Sequence, residues 1–166
     1  MRFTYGLFLD KPYNPSDPEH KKRAHKLRTD PTSGEVTVQG GFNTLVQKGQ
    51  LVKVDSVYRQ SVTTVNAFQK PEIHSWEEHL IRYSGSIEDI AFVDMDPYAF
   101  DVVGWFECDM PAAAMTRRRG KNGTYWRPEW TVVITLGTVE IKCHIEWVEN
   151  GVTKRNPVHR IWEDYY

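Results

Sequence analysis

The sequence predicts a mainly β fold, with α+β as the alternative. The expected form is a single antiparallel sheet, barrel or sandwich carrying one or two helices, in one domain over residues 1–166. Three observations predict it. Val139, Ile141, Cys143, Ile145 and Trp147 alternate with Glu140, Lys142, His144 and Glu146, the two-residue period of a strand with one buried and one wet face. Asn150-Gly151, just beyond that strand, is the dipeptide of a tight hairpin turn. Aromatic residues make up 13% of the chain, and such side chains suit pleated, half-buried surfaces.

In chain order, Arg2–Leu9 alternates loosely and reads as a strand. Pro12–Pro18 is a turn-rich connector. Asp17 caps a helix that begins at Pro18, where a missing N–H costs nothing, and runs to about Arg28. Only Ala24 and Leu27 anchor that helix, so it is expected to be exposed and weakly held. Glu35–Gly40, Leu51–Asp55 and Val57–Phe68 are β-branched runs bounded by turn residues and read as strands. Ser75 followed by Glu78 makes a capping box, and Trp76, Leu80 and Tyr83 fall on one helical face, so a second helix is expected from Ser75 to Gly85. Asp101–Cys108 reads as a strand. From Trp130 to Trp162 a β-meander is expected: Thr131–Leu136, a bend at Gly137, Val139–Trp147, the Asn150-Gly151 turn, then Val152–Arg155.

Charge is segregated along the chain although the total is only −1. Lys21, Lys22, Arg23, Lys26 and Arg28 crowd one short segment, and Arg117, Arg118, Arg119, Lys121 and Arg127 another. Between them, residues 72–109 carry ten carboxylates, among them Glu77, Glu78, Asp94 and Asp96, against Arg82 alone. Such a pattern is built to touch something charged, either a phosphate backbone or another protein surface.

The apolar run Met1–Leu9 is short and ends at Asp10-Lys11 with no small-residue cleavage site. No stretch approaches the ~20 apolar residues of a membrane span. A cytoplasmic or virion protein is therefore expected, with no membrane partner. Cys108 and Cys143 are too few for a disulfide framework and lack metal-ligand spacing.

Three motifs bear on chemistry. Pro128-Glu129, ten residues, then Glu140-Ile141-Lys142 resembles the signature of the PD-(D/E)XK nuclease superfamily, with glutamate in place of the aspartate. That resemblance implies a Mg²⁺-dependent nuclease in which Glu129 and Glu140 hold the metal and Lys142 is catalytic, with Glu77 or Glu78 lending a helix carboxylate. Otherwise no cofactor or metal is implied. His74 and His79 are five apart, about 140° around a helix, where chelation needs a spacing of four. Asp94-Met-Asp96-Pro97 resembles the Asp-x-Asp of some glycosyltransferases, but turn chemistry accounts for both acids.

The leading expectation is a non-enzymatic interaction protein that works by assembly, as a homo-oligomer or with other subunits. A ring or adaptor subunit of a phage particle is one such setting. Arg117, Arg118, Arg119 and Lys121, in a loop beside Tyr125, Trp126 and Arg127, would reach the acidic 72–109 region of a neighbour, and Lys21, Lys22, Arg23 and Lys26 would form a second contact. Nucleic-acid binding is the rival, with phosphates on the arginines and bases on Tyr125, Trp126 or Trp130. It includes a phage counter-defence protein acting on host machinery.

Overall fold

The computed structural model describes residues 2–51, 53–64 and 66–162. The chain is predominantly β, with every strand pair antiparallel. Strands β1 (Thr4–Phe8) and β2 (Lys11–Pro12) precede helix α1 (Pro18–Lys22); β3 (Leu27–Thr29), β4 (Val36–Val38), β5 (Phe42–Val46) and β6 (Ser56–Thr63) follow. Then come β7 (His74–Tyr83), β8 (Phe100–Met110), β9 (Met115–Gly120), β10 (Gly123–Leu136), β11 (Glu140–Glu149), β12 (Val152–Arg155) and β13 (His159–Trp162).

Two sheets face each other. One has the order β5-β1-β7-β8; the other runs β12-β11-β10-β6, with β13 also on β11 and β9 also on β10. A small third sheet, β2-β4-β3, stands apart. The core lies between the two large sheets. Tyr5, Leu7, Val46, Leu80, Phe106 and Met110 meet Val132, Ile134, Leu136, Ile141, Ile145 and Trp147 across the gap. Side chains from both inner faces interdigitating in one layer is how sheets pack in a sandwich. The alternation that predicted β11 is the cause: its odd residues from Ile141 to Trp147 are buried.

The Asn150-Gly151 turn forms as expected, with both residues at positive φ (51° and 76°), the hairpin geometry those residues favour. At the far edge, β8 is closed over by the last strand. A Cβ on Gly104 would lie 2.6 Å from Ile161, and Asn156 donates its side-chain N–H to the Glu107 carbonyl at 3.3 Å. Glycine at 104 lets the Ile161 side chain seat directly against the β8 backbone.

Two helix expectations are corrected. The helix from Ser75 to Gly85 is strand β7, paired along its length with β8 from His74↔Met110 to Tyr83↔Phe100. The segment is aromatic and its neighbour is an eleven-residue strand, so ladder pairing overrides a local capping signal. The helix from Pro18 stops at Lys22, although Asp17 caps it as predicted, accepting from the Glu19 N–H at 2.8 Å. Leu27–Thr29 is drawn instead into pairing with β4. The strand expected over Leu51–Asp55 does not form among the described residues of that segment, which ends in a turn with Asp55 at φ 64°; residue 52 lies outside the described residues. The long strand expected to Phe68 ends at Thr63, with residue 65 outside the described residues and Phe68 bridging Trp126 alone. Among the described residues no helix is long and apolar enough to cross a membrane.

Candidate interaction surfaces

The second basic cluster is not a loop. Met115–Gly120 is strand β9, and it pairs with Gly123–Pro128 through a two-residue turn, Lys121-Asn122. The result is a two-stranded ribbon extending beyond the main sheet. Alternation divides its side chains. Arg118, Tyr125 and Arg127 share one face, while Arg117, Arg119, Thr124 and Trp126 share the other.

The first face is tied down. Arg127 pairs with Glu35 at 2.6 Å, the Tyr125 hydroxyl donates to Glu35 at 3.3 Å, and the guanidinium of Arg118 grips Glu129. Tyr125 and Arg127 are buried, so neither belongs to an outward contact. The second face is open. Arg117 lies over the Trp126 ring at 5.9 Å, and Arg117, Arg119 and Lys121 have no ion-pair partner among the described residues. Trp130, expected as a stacking platform, is 6% exposed and packed on Trp76 with ring centroids 4.5 Å apart. It is core.

Three of the five residues of the first basic cluster, Lys22, Arg23 and Lys26, are paired within the molecule, while Arg28 on β3 is exposed without an ion pair among the described residues. Arg23, itself buried, donates to Asp94 at 2.6 Å and to Glu19 at 2.8 Å; Lys26 reaches Asp94 at 2.5 Å and Lys22 reaches Glu19 at 2.5 Å. Hydrogen bonds from Arg23 hold the Asp94 carboxyl below its ordinary range, against the opposing effect of burial, and Lys26 adds to them. Of this cluster's expected contacts, Lys21 alone is left outward without an ion pair among the described residues.

The acidic region also divides. Asp94 is occupied, and Asp96 accepts from the Tyr83 hydroxyl at 2.9 Å. Glu78 points inward beside Trp76 and Leu80 and is 7% exposed. Burial lifts its carboxyl to about 7, against a smaller lowering by the Trp76 side chain and the His79 backbone. Glu77 faces out. Its direct cross-strand partner is Glu107, with Asp109 on the diagonal and the half-exposed Trp105 two residues along β8. None of these three acids has an ion pair among the described residues. Like charges set directly opposite each other on a sheet are destabilising, so this face holds repulsion that a cationic partner would relieve.

The nuclease geometry does not assemble. Thr131 pairs with Glu146, which puts Glu129 level with residue 148 of β11. Glu140 is eight residues away on that strand, about 26 Å at ~3.3 Å per residue. Glu129 is held by Arg118, and Glu140 by Lys142 at 3.1 Å and Arg160 at 3.7 Å. The reason is that β10 is fourteen residues long and antiparallel to β11, so the ten residues between the motif's halves carry them apart. Glu77 and Glu78 stand on a strand, not a helix. Among the described residues no group of three or more His, Cys, Asp or Glu is placed to hold a metal ion.

Sequence reasoning missed the Glu77–Glu107 pair and Trp105. The outward alternation of Trp105 and Glu107 on the expected strand Asp101–Cys108, continued by Asp109 just past its expected end, was the signal for half of it. No protein-family model, curated protein or solved structure matches this chain.

Proposed function

We propose that this protein is a non-enzymatic interaction subunit that works by assembly with its own kind. The open face of the β9–β10 ribbon (Arg117, Arg119), with Lys121 at its turn, docks on the acidic outer face of β7–β8 (Glu77, Glu107, Asp109) of a second copy, with Trp105 as the aromatic anchor. The observation that carries the reading is the pair of unneutralised patches of opposite sign, each gathered on one outer sheet face, while Arg23, Lys26, Asp94, Arg118 and Arg127 are paired within the chain. Two different patches make a head-to-tail contact, which closes into rings or extends as filaments. Each exposed pair contributes roughly 0.2–1 kcal/mol, so the contact depends on several acting together and weakens in salt. Trp105 adds what charge alone does not, since aromatic side chains beside arginine are common centres of interface energy.

The test is complementation by charge reversal, read by sedimentation velocity at low salt. Arg117→Glu/Arg119→Glu and Glu77→Lys/Glu107→Lys should each be monomeric alone and should associate when mixed in equal amounts. Wild-type association that survives both reversals would sink the proposal. So would a wild type that binds single-stranded DNA but never itself, which would transfer the ribbon to the nucleic-acid reading.

A further inference from the structure

We infer that the outer edge of β9 is an acceptor for an extended acidic peptide segment, which adds to it as a further strand. The inference uses the same ribbon as the assembly reading but does not depend on self-association.

The backbone carries the argument. Trp126 exchanges both its main-chain hydrogen bonds with Phe68, N to O at 2.8 Å in each direction. Its N–H and C=O therefore point away from β9, and its cross-strand partner Arg117 is a non-hydrogen-bonded pair with it. The N–H and C=O of Arg117 then point the opposite way, off the far side of β9, and those of Arg119 do the same one period later. Nothing among the described residues pairs with that side: β10 is the one strand bonded to β9. The three arginines there are exposed. A free row of donors and acceptors is a template for another strand.

The side chains choose the strand. Arg117 and Arg119 lie on one face, two residues apart, with the Trp126 ring beside them. A shallow hollow lined by Arg117, Arg118, Arg119, Gly123 and Thr124 opens on this part of the ribbon. Added cationic side chains discourage neutral or basic strands at an edge. An incoming strand with Glu or Asp at alternate positions meets both arginines as direct cross-strand pairs, the favourable opposite-charge arrangement. In the antiparallel orientation of the other strand pairs here, its residues facing Arg117 and Arg119 are also those whose N–H groups bond to the edge, so charge and backbone pairing select one register. Arg118, already held by Glu129 on the other face, is not needed.

The probe is a fluorescein-labelled peptide alternating Thr and Glu, titrated with the full chain and followed by anisotropy. Two further versions carry N-methyl groups, one on the glutamates and one on the threonines. Strand addition predicts that methylating the glutamates weakens binding at least about tenfold, while methylating the threonines changes it less than about threefold. Arg117→Glu/Arg119→Glu should abolish binding, and Glu77→Lys/Glu107→Lys should leave it intact while removing self-association. If all three peptides bind equally, the attraction is charge alone and the inference falls. It falls too if the arginine reversal leaves the parent peptide's affinity unchanged. Loss of peptide binding with self-association retained would overturn this inference and leave the assembly reading standing.

Discussion

Glu78 makes the fold's stability depend on pH in a direction that a surface carboxylate would not. Its side chain is inside the sandwich, 7% exposed, and burial lifts it from an ordinary 4.5 to about 7. Between pH 4.5 and 7 the unfolded chain ionises this group and the folded chain does not. The folded state then binds more protons, so stability falls as pH rises, and the loss is complete above pH 7. At ~1.4 kcal/mol per pH unit, the displacement from 4.5 to about 7 corresponds to about 3 kcal/mol. Glu78→Gln keeps the shape and removes the ionisation. Guanidinium unfolding followed by tryptophan fluorescence at pH 4, 6 and 8 reads the effect as the stability of the variant minus that of wild type. That difference should rise by about 3 kcal/mol from pH 4 to pH 8, most of it gained by pH 7. A difference that stays flat across the range, or that narrows as pH rises, would refute the placement of Glu78 on the buried face.

Three further outcomes follow from the packing. Asp94→Asn takes a charged acceptor from buried Arg23 and should cost about 1.5–3 kcal/mol at neutral pH, the range for hydrogen bonds to charged groups. The low-lying Asp94 carboxyl means that stability is present at neutral pH and lost as pH falls through its folded value, so the variant and wild type should converge in acid. Gly104→Ala forces a Cβ to within 2.6 Å of Ile161 and should destabilise by roughly 1–3 kcal/mol; the same change should cost less in an Ile161→Ala background, as a thermal-unfolding cycle would show. Cys108 and Cys143 are both fully buried, and burial raises both thiols, Cys143 to about 12. Native protein should therefore stay inert to a thiol reagent at pH 8, whereas unfolded protein exposes two reactive thiols.

What the sequence showed depended on whether alternation was kept. From Glu140 to Trp147 no charged residue falls on the buried side, and the strand and its Asn150-Gly151 turn were legible residue by residue. In β7 the buried face reads Trp76, Glu78, Leu80. A carboxylate in the middle of that face erases the two-residue period, and what remains, Trp76, Leu80 and Tyr83, fits a helical stripe as well. The residue that hid the strand is therefore the carboxyl that burial lifts to about 7. The basic segment 117–121 was legible as a cluster but not as a strand, because Arg-Arg-Arg shows no alternation until β10 assigns a face to each. The tie between Arg23 and Asp94 spans 71 positions, and only the fold brings them together. Composition pointed to charged contacts; which charges remain for a partner was decided by pairings of that kind.

Self-assembly through unlike charged surfaces shows first in the native mass of the protein. Light scattering on the eluting wild-type protein at low salt should give masses that are multiples of 19.4 kDa and rise with concentration. Raising the salt to about 1 M, where charges are screened within ~3 Å, should return it to 19.4 kDa. A constant 19.4 kDa at every concentration and in low salt would contradict the account.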